Sequence, residues 1–149
     1  MVIYPDTSFL VSLYIEEDTT LEVESFLETL TEPLLFTPFH RLEFRTALRV
    51  RVFRKNLTLN QLKLGLQNNE EHLLNGILRH TPLNWSDTLR EAERLGEAHL
   101  TETGVRSGDL LHVAAAVVLG AREFVTFDQR QTKLARRAGL KVKAWKSVK

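Results

Sequence analysis

Apolar positions along the chain follow two rhythms. Short unbroken runs at 2–4 (VIY), 34–36 (LLF) and 124–125 (FV) have the form of strands buried on both faces. Between them apolar residues recur every three or four positions, as amphipathic helices require. Phe9, Leu10, Leu13 and Tyr14 mark a first helix over 8–15, and Leu21, Val23, Phe26, Leu27 and Leu30 a second. Thr37 before Pro38 is an N-cap followed by an N1 proline, which predicts a helix over 38–55. Leu59, Leu62, Leu66, Leu73 and Leu74 form an expected core stripe for a helix over 58–75. A weak strand follows at 77–83. Ser86 or Asp87 opens a helix with Leu89, Ala92, Leu95 and Ala98 inward, and Gly104 closes it. A helix at 107–121, a strand at 123–128, a helix at 130–139 and a strand at 141–145 complete the pattern.

Strands alternating with helices imply an α/β fold with a parallel sheet covered on both faces, its crossovers right-handed. The 149 residues suit a single domain over 1–149. In such sheets ligands bind beyond the carboxyl ends of the strands, where neighbouring connections leave for opposite faces. Residues just after strands and at helix starts are therefore the ones to weigh.

Composition narrows the chemistry. With no cysteine, disulfides, thiolate metal sites and a cysteine nucleophile are excluded, which suits a reducing, cytoplasmic setting. The N-terminus lacks the pattern of a signal peptide, and the longest weakly polar run, at 110–121, is too short to span a bilayer, so no membrane role is expected. The net charge is only +1, but the charges are segregated. Residues 16–32 carry seven acids and no Lys or Arg; 41–55 carry six basic residues against Glu43; 130–149 carry eight basic residues and no acid. These are either solvated helix faces or surfaces for charged partners.

Four acids lie near the expected ligand edge: Asp6 after the first strand, Glu43 in the third helix, Asp109 at the start of SGDLLHVAAA, and Asp128 after EFVTF. Singly, Asp6 and Asp128 read as N-caps, Asp109 as an acid facing a helix dipole and Glu43 as a surface acid. Together in one cleft they would repel, and a divalent cation would relieve the repulsion. Oxygen-only ligation suits Mg²⁺ or Mn²⁺ rather than zinc. His112 lies one turn after Asp109 and reads as a packed side chain able to touch the site, and His40 is read likewise. Trp85 and Trp145 read as packing anchors.

The stretches YPDTSFL, RLEFRTAL, RSGDLLHVAAA and FVTFDQRQTKLARRAGLKV, in this order, resemble the PIN-domain nucleases, and among them the VapC-like toxins. The resemblance implies a PIN-like three-layer fold with a central, mostly parallel five-stranded sheet. It also implies a Mg²⁺- or Mn²⁺-dependent endoribonuclease of the VapBC toxin–antitoxin type, with an RNA substrate, a possible cognate antitoxin and a homodimeric state. Carried over, Asp6, Glu43, Asp109 and Asp128 become the catalytic and metal-binding quartet, and Ser8 and Thr126 the hydroxyls that orient it. Arg41, Arg45 and Arg49, close along the helix of Glu43, become candidates for RNA phosphates. Two other readings stand beside this one. A non-catalytic PIN-like RNA- or protein-binding module is opposed by the intact quartet, and a receiver-like phosphoryl-transfer domain lacks a mid-chain acid at a strand end.

Overall fold

In the computed structural model the described residues are 2–145. Residue 1 and residues 146–149 (KSVK), whose two lysines belong to the basic C-terminal block, lie outside them. Five short strands, β1 (Ile3–Pro5), β2 (Leu34–Phe36), β3 (Leu78–His80), β4 (Glu123–Val125) and β5 (Lys141–Val142), form one sheet in the order β3-β2-β1-β4-β5. All four pairings are parallel. Seven helices cover the sheet: α1 (Thr7–Ser12), α2 (Thr20–Thr29), α3 (Pro38–Phe53), α4 (Leu59–Leu74), α5 (Trp85–Thr103), α6 (Ser107–Val118) and α7 (Gln129–Arg137).

Two buried clusters lie on either side of the sheet. Tyr4, Leu35, Phe124 and Val142 pack with α5, α6 and α7, while Ile3, Leu34, Phe36 and Val125 pack with α1, α2 and Trp145. Alternating strand residues thus serve opposite faces, as the pleat requires. Ala114, Ala115 and Ala116 are wholly buried, and these small side chains let α6 lie close on the sheet. A third cluster, of Val11, Phe44, Leu48 and Leu57, ties α1 to α3 and the start of α4.

The caps follow local chemistry, with one correction. Thr37 accepts from the His40 amide while its own amide donates to His40 Nδ1, a reciprocal capping box. α5 begins earlier than Ser86 or Asp87: Asn84 is its cap, accepting from the Asp87 amide. Gly104 ends α5 with φ 63°, the left-handed conformation that favours glycine. α1 also stops sooner than expected, at Ser12.

Three apolar stripes bury less than the sequence pattern predicts. Leu21 is 79% exposed, Leu59 72%, Leu74 85% and Leu89 51%. On α4 the buried positions are Gly65 and Asn69, with Leu62, Leu66 and Leu73 partly covered, so only one edge of the leucine stripe meets the core. Among the described residues no helix is long and apolar enough to cross a membrane.

In the order β3-β2-β1-β4-β5 the chain moves outward from β1 on one side and then restarts on the other at β4. The switch point therefore lies between β1 and β4, at whose carboxyl ends stand Asp6 and Thr126. The Asp6 amide continues the ladder by donating to the Val125 carbonyl at 2.9 Å.

Candidate active site

Asp6 caps α1 and is buried. Its Oδ1 accepts from the Phe9 amide at 2.7 Å, and its Oδ2 accepts from Ser8 Oγ at 2.8 Å and Thr126 Oγ1 at 2.7 Å. Burial pushes its carboxyl above the usual range, against the pull of those three donors and of His112. The Thr126 proton is shared with Gln131 Oε1 at 2.9 Å, and Thr126 Oγ1 accepts from the Asp128 amide. One threonine thus links the ends of β1 and β4.

Asp128 caps α7, its Oδ1 accepting from the Gln131 amide at 2.8 Å. Gln131, itself buried, donates through Nε2 to the Asp109 carbonyl at 3.2 Å and so ties α7 to the first turn of α6. Asp109 is half-buried. Burial first, then the charges of Asp128 and Glu43, push its carboxyl up, with His112 and Arg106 opposing.

Glu43, near the middle of α3, is held by residues from two other elements. Its Oε1 accepts from Thr7 Oγ1 at 2.6 Å and from His112 Nε2 at 2.5 Å. Burial raises its carboxyl, but the hydrogen bonds from His112 and Thr7 outweigh this and hold it below the usual range. On the other oxygen, Gly108 leaves room: a Cβ there would stand 3.3 Å from Oε2.

The His112 tautomer follows from its partners. A carboxylate only accepts, so Nε2 carries the proton, and Nδ1 accepts from the buried Tyr4 phenol at 2.7 Å. Burial pushes the Tyr4 pKa well up, which keeps it a donor. His40 is fixed in the same tautomer, Nδ1 accepting from the Thr37 amide and Nε2 donating to the Pro5 carbonyl at 2.7 Å. β1 meets β2 in register at Ile3 and Leu34, and His40 serves the carbonyl just before Asp6.

One depression of about 510 Å³ is lined by Asp6, Thr7, Ser8, Glu43, Thr46, Asp109 and His112, with Phe39, Leu42 and Ala47 as its apolar wall. A second, of about 370 Å³, holds Asp128 with Arg106, Gln129 and Arg130. Asp109 borders both. The fold thus brings Asp6, Glu43 and Asp109 to one depression and sets Asp128 across Asp109 from the other two.

Among the described residues no three His, Asp or Glu side chains are placed closely enough to hold a metal ion. The donor chemistry still fits a hard cation. The acids offer only oxygen, Glu43 Oε2 faces the gap above Gly108, and Asp109 carries the repulsion of two other carboxylates.

The α3 arginines have a structural partner. Arg41 and Arg45 both donate to Glu70 Oε1 of α4, at 2.8 and 2.6 Å, while Arg49 is exposed and outside that pair. Gln131, Gly108 and Tyr4 join the site without having been singled out. Only Gln131 carried a local signal, an Asp-x-x-Gln capping pattern. Trp85 packs on Phe39 but stays 42% exposed, whereas Trp145 is buried and donates to the Thr126 carbonyl at 3.1 Å.

By sequence no curated protein matches significantly. Solved structures share the fold across almost the whole chain. VapBC2 from Rickettsia felis, bound to a DNA fragment from its promoter, matches at TM-score 0.65 and 16% identity, covering 97% of this chain and 99% of that one. FitAcB from Neisseria gonorrhoeae matches at TM-score 0.66 and 16% identity, with 96% and 97% covered. VapC20 from Mycobacterium tuberculosis, a sarcin–ricin loop cleaving toxin, matches at TM-score 0.66 and 15% identity, with 88% and 93% covered. A family model for the PIN domain matches residues 3–137, the span from β1 through α7 that carries all four acids, and the chain belongs to the PIN domain family.

Proposed function

We propose that this chain is a Mg²⁺- or Mn²⁺-dependent endoribonuclease and the toxin of a toxin–antitoxin pair. The observation that carries this reading is the meeting of Asp6, Glu43 and Asp109 in one depression at the switch point of the sheet. The family and the fold shared with a loop-cleaving toxin support it.

Asp6 and Asp109, with Asp128 or Glu43, would hold the cation. When bound, such an ion lowers the pKa of a water and neutralises charge on the attacked phosphate. The chain's own residues supply position. Ser8 and Thr126 fix the Asp6 carboxylate, and Thr7 and His112 fix that of Glu43. Glu43, ionised at neutral pH, accepts a hydrogen bond from the attacking water through its Oε2. Water adds to phosphorus and gives up a proton to solvent, the bond to the 3′ oxygen breaks, that oxygen takes a proton from solvent, and the products are a 5′-phosphate and a 3′-hydroxyl.

Arg41, Arg45 and Arg49 remain the proposed phosphate contacts on α3; Arg49 is the one not engaged by Glu70. A homodimer is consistent with the exposed Phe53, Leu59, Leu64 and Leu74 of α3 and α4. The VapBC2 and FitAcB structures support a cognate antitoxin as partner.

The test is cleavage of labelled single-stranded RNA with Mg²⁺ or Mn²⁺, beside EDTA and Asp6→Asn. Metal-dependent cleavage lost in both controls is expected. The absence of a closed metal cluster among the described residues favours one other reading, a non-catalytic RNA- or protein-binding module. RNA binding without cleavage under any metal would establish that reading instead.

A further inference from the structure

Asp109 separates two depressions of different chemistry. On one side the acids face an apolar wall of Phe39, Leu42 and Ala47; on the other stand Arg106 and Arg130. No Lys or Arg lines the first depression, and neither Arg106 nor Arg130 takes part in an ion pair among the described residues. The apolar side extends outward. Trp85 packs edge-on against Phe39, with centroids 5.6 Å apart, and Phe39 stacks on His112 at 4.4 Å. The aromatic wall is therefore braced on the side chain that holds Glu43, while Trp85 and Leu42 stay 42% and 67% exposed.

A single RNA strand presents this alternation: charged phosphates, with a flat apolar base one nucleotide away. We propose that the strand crosses Asp109 with its phosphates on the Arg106–Arg130 side and one base, next to the scissile bond, stacked against Phe39, Leu42 and Trp85. The proposal rests on the ribonuclease reading and adds to it a base subsite and a path for the strand. An apolar protein segment fits less well, because it would cover Asp6, Glu43 and Asp109 without offering them a counter-charge.

The chain has two tryptophans, and Trp145 is buried, so Trp85 reports on the subsite by fluorescence. The probes are a 12-nucleotide single-stranded RNA and the same ribose-phosphate chain without bases, titrated in EDTA so that nothing is cleaved; anisotropy of an end label measures binding. Expected are a change in Trp85 emission on adding RNA, absent in Trp85→Phe, and binding about tenfold weaker in Trp85→Ala but not in Trp85→Phe. The abasic chain should bind wild type as weakly as RNA binds Trp85→Ala. Arg106→Gln and Arg130→Gln should each lower the salt slope by about one.

RNA binding with Trp85 emission unmoved, or equal affinity for the abasic chain, would overturn the subsite even if the protein cleaves RNA. The Trp85 signature, together with no cleavage in the separate assay with Mg²⁺ or Mn²⁺, would support the subsite and remove the nuclease. No binding of either probe would overturn the subsite. A concentration-dependent change in Trp85 emission without RNA would give the face to a second copy of the chain and overturn the proposal.

Discussion

His112 Nε2 lies 2.5 Å from Glu43 Oε1, joining α6 to α3 across 69 positions of sequence. The imidazole is held from behind by the Tyr4 phenol and from one face by Phe39, so Glu43 is aimed by a side chain with no freedom of its own. His112 is thus a positioning residue. His112→Ala should lower kcat about 10–100-fold with little change in KM, and His112→Gln, which can still donate to Glu43, should recover part of it. A rise in KM alone, measured by steady-state cleavage, would show that Glu43 keeps its place without the imidazole.

Asp6 both caps a helix and offers a carboxylate. Asn caps as well as Asp, so Asp6→Asn should abolish cleavage at unchanged melting temperature. Asp6→Ala should also abolish it and cost about 1 kcal/mol of stability through the lost cap. Activity assays and thermal melts on the two variants separate these duties.

At Gly108 an added Cβ would stand 3.3 Å from Glu43 Oε2. Gly108→Ala should displace that carboxylate by a few tenths of an ångström and reduce kcat while leaving RNA affinity intact. Equal kcat in the variant and the wild type would show that the placement of Oε2 is not critical.

His40 gives the fold a pH dependence. Burial first, then the neighbouring His112 ring, depresses its pKa well below 6.5, against the bond to the Pro5 carbonyl. The unfolded chain therefore takes up this proton as pH falls through about 6.5 while the folded chain does not, and stability is lost with acid at up to about 1.4 kcal/mol per pH unit. His72, also depressed, adds in the same sense; Asp6 and Asp109, raised, act in the opposite sense at lower pH. His40→Gln keeps a residue suited to the capping box and should flatten urea-derived stability between pH 6.5 and 5.

Divalent ions should also stabilise the fold, since a cation offsets the repulsion that Asp109 carries from Asp128 and Glu43. At a hundred times its dissociation constant Mg²⁺ would add about 2.7 kcal/mol. The melting temperature should rise with Mg²⁺, fall back with EDTA, and respond less in Asp109→Asn.

The sheet and its flanking helices were legible in the sequence because strand runs and helical periods are local signals. Which leucines of α4 meet the core was not: the stripe supplies more apolar positions than the neighbouring elements can cover, and Leu59 and Leu74 remain outside. The start of α5 was ambiguous because Asn84, Ser86 and Asp87 are all good caps, and only the Asn84 side chain meets the Asp87 amide. At the site, the acids at strand ends and helix starts could be picked out by position. The bonds from Thr7 and His112 to Glu43, and the engagement of Arg41 and Arg45 by Glu70, join residues far apart in the chain and become visible only in three dimensions.

Two of the four acids have a second employment. Asp6 and Asp128 each accept a backbone amide at the start of a helix, whereas the side chains of Glu43 and Asp109 cap nothing. A descendant of this chain that abandoned catalysis would stay under folding pressure to keep Asp or Asn at 6 and 128, but would be free to drift at 43 and 109. Within this lineage, then, Glu43 and Asp109 are the positions whose loss marks a silent member, and Asp6 and Asp128 are those that would outlive the activity.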